Sequence, residues 1–181
     1  MLILKKLILT VMLVLVNIIP VFADGTNFLS ENTKRESLIM DILTETAEAH
    51  IETKEYYEKI TPWLKGNLEG LEEIFIDYAL EKGVDPILAV SISLQETGHG
   101  ESYLCKVKNN FGGMRYKGEW LGYETREQGA MKFIDLVAKY TAKGMDTPEL
   151  MVDKYAEGSE TWALAIGRFM KKINETKGSE E

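Results

Sequence analysis

Residues 94–114 read Leu94-Gln95-Glu96-Thr97-Gly98-His99-Gly100-Glu101-Ser102-Tyr103-Leu104-Cys105-Lys106-Val107-Lys108-Asn109-Asn110-Phe111-Gly112-Gly113-Met114. Just upstream, Asp85-Pro86 supplies a helix cap with proline in the first turn, and the segment it opens, Ile87 to Glu96, is apolar nearly all round apart from small serines. A helix of that composition belongs at the centre of a domain. Gly98 stops it and leaves Glu96 on its last turn. A carboxyl group there meets desolvation and the negative end of the helix dipole, and both disfavour its charged form. The expectation is an acid still protonated near neutral pH, the group that protonates the leaving oxygen when a glycosidic bond breaks. The glycines after it would let a polymer approach the backbone.

Outward from this stretch the signals are mostly helical. Leu68, Leu71, Ile74, Phe75 and Tyr78 form one apolar stripe that ends at Gly83. From Gly112 to Tyr123, two short aromatic runs around Lys117-Gly118 predict a small hairpin. Thr125 and Gln128 make a capping box for a helix that buries Ala130, Phe133, Ile134, Val137 and Thr141. Thr147-Pro148 starts another helix, which stops near Gly158. The last begins after Ser159 and carries Trp162, Ile166, Phe169, Met170 and Ile173 on one side. The expected fold class is mainly α: about five helices with a short β-hairpin beside the cleft.

The N-terminus reads as an export signal, with Lys5 and Lys6, an apolar run from Leu7 to Val16, and Val21-Phe22-Ala23 suited to cleavage after Ala23. The alternative is an uncleaved anchor made by residues 7–22, slightly short for a full span. Residues 24–66 form a charged helical arm or spacer, with Leu38, Ile39, Ile42, Leu43, Ala47 and Ile51 at helical spacing. Such an arm would suit an envelope protein partner or hold the body away from the membrane. Thr61-Pro62 breaks it. The folded body is expected over residues 67–174, followed by a polar tail, 175–181.

The 181-residue chain carries 21 basic and 29 acidic residues, a net of −8. Residues 1–23 hold two of the lysines and no acid, so the mature chain would have 19 basic residues against 29 acidic, a net of −10. Nucleic acid is excluded as a partner on this balance, because phosphate polymers are gripped by clustered positive charge. The single cysteine, Cys105, allows no intrachain disulfide, so an exported domain must rest on its apolar core. Cys105 with His50 or His99 is the only set a cysteine peptidase could use, and both histidines precede the cysteine. Two histidines about fifty residues apart and one cysteine make no recognisable metal-ligand set. No metal and no cofactor are expected.

In Asn109-Asn110-Phe111-Gly112-Gly113 the asparagines suit turns, and the paired glycines expose backbone N–H and C=O groups that could pair with the amide of an N-acetyl sugar. A tight turn entering the hairpin is the plainer reading of the same residues. Tyr103, Tyr116, Trp120 and Tyr123 offer faces for sugar stacking or for hairpin packing. Tyr155, by its own context, is an aromatic near a helix end and suits a core position.

Taken in order, Glu96-Thr97-Gly98-His99-Gly100-Glu101-Ser102, Asn109 to Gly113, Tyr123-Glu124-Thr125-Arg126-Glu127, and Tyr155-Ala156 with Trp162 downstream resemble the lysozyme-like glucosaminidase family of peptidoglycan hydrolases. That family includes flagellar and autolysin N-acetylglucosaminidases. The resemblance runs from about Leu71 to Ile173. It implies a lysozyme-like α-rich fold and cleavage of the glycan strands of bacterial cell wall. It also implies Glu96 as general acid, Tyr155 as a catalytic residue of the cleft, and Asn110, Phe111 and Gly112 as lining of the sugar groove, where Tyr123 joins them. Two departures stand out. His99 occupies a position where the family has a bulky aromatic, and the lobe that carries the family's second carboxylate is very short here. Glu119 is the only acid inside that lobe, and Glu124 lies at its edge. Glu127 has a sufficient role at the start of a capped helix. With one carboxylate, two routes remain: assistance by the sugar's acetamido group, or attack by an internal hydroxyl of muramic acid, which is lytic transglycosylation. A muramidase on the same fold, and a wall-binding scaffold without turnover, are the other readings.

Overall fold

The computed structural model describes residues 28–157 and 159–176. The expected signal segment lies outside these residues, as does the end of the polar tail. Among the described residues no helix is long and apolar enough to cross a membrane. The chain divides into two units, residues 1–54 and 55–181. Helix α1 (Phe28–Ile60) accounts for the described part of the first. There Leu38, Leu43 and Ile51 remain exposed, and the hydroxyls of Thr44, Thr46 and Thr53 donate back to carbonyls one turn earlier, at 2.8, 2.5 and 2.8 Å.

The second unit begins at Glu55, ahead of the boundary expected near Gly66. Packing explains the shift. Pro62 does end α1, but Ile60 and Leu64 are both buried, and two short 3-10 turns, Thr61–Trp63 and Gly66–Leu68, bring Leu64 and Leu68 into the core. The next helical segment contains a π-turn, Ile74–Tyr78, before α2 (Ala79–Glu81). Its wider winding buries Phe75, Ile76 and Ala79 while Ile74 and Tyr78 pack at the margin, so the expected stripe is rotated rather than lost.

Helix α3 (Pro86–Thr97) matches its sequence signals. The Asp85 carboxylate accepts from the Ile87 amide at 2.8 Å, and Gly98 closes the helix in the left-handed region, φ 55°. Every residue from Pro86 to Leu94 is buried, which places α3 at the centre of the body. Ser102 then caps α4 (Tyr103–Lys108), a short helix that the sequence pattern does not announce. Strands β1 (Arg115–Tyr116) and β2 (Glu119–Trp120) pair antiparallel, with Arg115 opposite Trp120 and Tyr116 opposite Glu119. Lys117 and Gly118 both take positive φ, the turn geometry that fits the twist of a two-residue hairpin.

Helices α5 (Arg126–Thr141), α6 (Pro148–Tyr155) and α7 (Glu160–Asn174) complete the body. Gln128 donates its amide to Thr125 Oγ1 at 3.1 Å, and its side-chain oxygen accepts from the Glu124 amide at 2.9 Å, one residue before the cap. The α-rich architecture with one short hairpin is as expected. Around α3, Phe75 meets Phe111 edge-on, with centroids 6.4 Å apart, and Phe133 at 6.1 Å. These rings join the loop after α4 to α5.

Gly129, in the first turns of α5, is buried against the backbone carbonyl of Asn109, and a side chain there would collide with that oxygen. Gly167, in α7, has open space around its would-be Cβ. Gly129→Ala should therefore lower stability by about 1–3 kcal/mol through overpacking, whereas Gly167→Ala should raise it by about 0.5–1 kcal/mol by removing unfolded-state freedom. Paired urea titrations of the two variants measure both signs.

Candidate active site

Glu96 projects from the last turn of α3 and is only partly exposed. Its Oε1 accepts a hydrogen bond from the indole Nε1 of Trp162, in the first turns of α7, at 2.8 Å. Its Oε2 lies against Gly113: a Cβ built there would come within 2.7 Å of that oxygen. Burial raises the pKa of the carboxyl above its usual value, and the Trp162 hydrogen bond works in the opposite direction. The rise agrees with the sequence expectation, and its main cause is desolvation. One oxygen is therefore anchored, while the other faces a glycine that only a residue without a side chain can fill.

The loop that carries Gly113 is held by Asn110, which is fully buried. Its amide nitrogen donates to the carbonyls of Met114 (2.8 Å) and Leu121 (3.0 Å), and its oxygen accepts from the amides of Met114 (2.9 Å) and Gly112 (3.4 Å). Every polar position of this side chain is used by backbone. Phe111 is fully buried among core rings. Neither residue is among those that line the groove described below; their side chains are spent on the loop and on the core. Both shape the loop, and the sequence could not separate the two roles because an Asn that builds a turn and an Asn that binds a ligand have the same identity. Gly112 is buried too, with Phe133 and the Tyr155 hydroxyl where its Cβ would stand.

Tyr155, the last residue of α6, donates its hydroxyl to the Gly112 carbonyl at 2.8 Å. Its ring stacks on Trp162 at 5.1 Å between centroids and meets Tyr140 edge-on at 5.9 Å. Burial, the Glu96 carboxylate and Tyr140 together push its pKa well above the ordinary phenol value, so it remains a neutral donor. The fold thus brings Tyr155, Trp162, Glu96 and the Gly112-Gly113 backbone together. Trp162 is the member to which the sequence assigned a packing face and a place downstream of Tyr155-Ala156, but no contact with Glu96. A buried indole N–H needs an acceptor, a rule that states the need without naming the partner.

The hairpin covers one side. Trp120 reaches to 4.0 Å from the would-be Cβ of Gly113, and the Arg115 guanidinium sits 3.5 Å above its ring. Since successive strand residues point to opposite faces, Glu119 is turned away from the side that Trp120 occupies. Glu124 is exposed ahead of α5. Among the described residues neither carboxylate makes a hydrogen bond or ion pair with a member of the Glu96 cluster. The Glu127 carboxyl is held below its usual value by its own amide and by Thr125, which suits a helix cap and not a proton donor.

Gly112, Gly113 and Tyr155 also line a groove of about 480 Å3 between the hairpin, α5 and the end of α6, with Tyr123 on its wall, so Gly112 and Tyr123 of the expected substrate contacts stand at this groove. Glu96 is not among the lining residues; Gly113 is the residue shared by groove and carboxylate. His99 is exposed, with φ 61°, and its ring packs edge-on against Phe169 at 5.3 Å. Cys105 is buried beside the Asn67 amide, and burial pushes its thiol pKa up, which opposes the thiolate that a cysteine peptidase would need. No family model matches the chain, and no curated protein matches it.

A carboxyl whose folded pKa lies above its unfolded value stabilises the fold while protonated, and that contribution is lost as pH rises through the folded pKa. Glu96→Gln should therefore be more stable than the parent at neutral pH, and the difference should close as the pH falls below the ordinary glutamate value of about 4.3. Thermal melts of both proteins across pH 3.5 to 8 measure the convergence.

Proposed function

We propose that the protein is an exported cell-wall hydrolase that cleaves peptidoglycan glycan strands in the manner of an N-acetylglucosaminidase, with Glu96 as general acid. The observation that carries this reading is the Glu96 carboxyl itself: pKa raised by burial, one oxygen bonded to Trp162, the other against Gly113 at the edge of a groove. Since Oε1 accepts the indole proton, the acidic proton sits on Oε2. In the reaction it passes to the bridging glycosidic oxygen, the C1–O bond breaks, and positive charge develops on the sugar ring. Trp162 then stabilises the carboxylate that Glu96 has become. Tyr155 is a positioning residue in this scheme: it holds the Gly112 carbonyl and so sets the path of the Gly113 backbone beside the acid.

A second reading concerns how the cation is trapped. Glu119 faces away from Trp120 and Glu124 is exposed, which favours a mechanism with one carboxylate. The cation would then be captured by the substrate's own acetamido oxygen or, in lytic transglycosylation, by an internal hydroxyl of muramic acid. Fragments released from sacculi distinguish the two by mass, because an anhydro product is lighter than its hydrolysed counterpart by one water.

Glu96→Gln should lower the rate of sacculus cleavage about 10²–10⁴-fold, the usual contribution of a general acid. If parent and variant are equally silent on sacculi yet both sediment with insoluble wall, the protein is a binding scaffold and not an enzyme. Trp162→Phe keeps the ring but removes the proton donor that lowers the Glu96 pKa. The basic limb of its pH–rate profile should move to higher pH, with a lower maximum rate.

A further inference from the structure

The groove that meets Gly113 has an electrostatic character opposite to that of the protein. Against a chain net charge of −8, its lining includes four cations, Arg115, Lys132, Lys139 and Lys154, and a single acid, Asp135. The acid is already engaged: Asp135 Oδ1 accepts from Tyr78 at 2.8 Å, and Oδ2 pairs with Lys132 at 3.2 Å. Arg115 lies over Trp120. Lys139 and Lys154 have no ion pair among the described residues. The remaining wall is largely apolar, with Leu121 and Leu136 prominent, and the volume falls within the range of about 300–1,000 Å3 typical of small-ligand sites.

A neutral N-acetyl sugar has no use for several unpaired cations, whereas an anion does. We infer that the groove is a subsite for the peptide stem carried by the glycan strand, with Lys139 and Lys154 meeting its carboxylates and the leucines meeting its small apolar side chains. This rests on the wall-hydrolase reading for the identity of the strand, but the groove's own chemistry is independent of turnover. A phosphodiester wall polymer would satisfy the lysines and leave the apolar wall unused, so the peptide is the better match. The position fits as well: Gly113 and Tyr155 join the groove to the Glu96 cluster, so a strand with a sugar bridge at Glu96 would carry a neighbouring substituent toward the lysines.

The test uses the full chain and a soluble muramoyl tetrapeptide, with binding followed by calorimetry or amide chemical shifts. The parent should bind it, and Lys139→Gln combined with Lys154→Gln should weaken binding about tenfold, the sum expected for two partly exposed ion pairs. A tetrapeptide with amidated carboxyls should bind parent and double variant with the same reduced affinity. Absence of binding overturns the assignment, as does binding that ignores both changes. It is equally overturned if the double variant loses only its affinity for a soluble polyol-phosphate polymer, which would make phosphate the occupant. Peptide binding with a silent sacculus assay would leave the groove assigned and remove the hydrolase reading. Sacculus cleavage without peptide binding would do the reverse.

Discussion

A helix enclosed on all sides has to end somewhere, and where α3 ends it presents a carboxyl group to a largely apolar surrounding. The cost of charging that group is the constraint from which the site follows. Among the described residues its surroundings answer with one directed hydrogen bond, from Trp162, and with no cation, so the acid is oriented without being forced to ionise. A lysine or arginine in place of the indole would have held the group as a carboxylate. The indole fixes an oxygen while leaving the balance with desolvation.

The same economy governs the loop between α4 and the hairpin. A short segment that passes through the body has backbone groups to satisfy, and no ladder is available to do it. Asn110 takes that part, its amide standing in for two donors and two acceptors of a missing strand. Phe111 anchors the segment in the core, and Tyr155 grips it from the other side. Together these three hold the loop in which Gly113 lies beside Glu96. Asn110 and Phe111 are thus the framework that lets backbone approach the acid.

Much of this was legible in advance, and the reason differs between parts. Caps, helix stops and the hairpin turn are local matters, decided by one or two side chains and a permitted φ; Asp85, Gly98, Thr125, Thr147 and Lys117-Gly118 all act as their chemistry dictates. The π-turn at Ile74–Tyr78 was not legible, because it changes winding without changing composition. That the compact unit starts at Glu55 has a related reason. Pro62 does break a helix, but whether chain beyond a break folds inward depends on what Ile60 and Leu64 find to pack against.

From sequence alone came the α-rich class, the central apolar helix and the one acid at its end, since these follow from periodicity, capping and the cost of burying charge. Tertiary structure decided which groups surround that acid. The indole arrives from a helix more than sixty positions away, the phenol from another, and Glu119 is turned aside by the two-residue period of a strand. Such meetings depend on how helices pack across the core, and no local pattern encodes them.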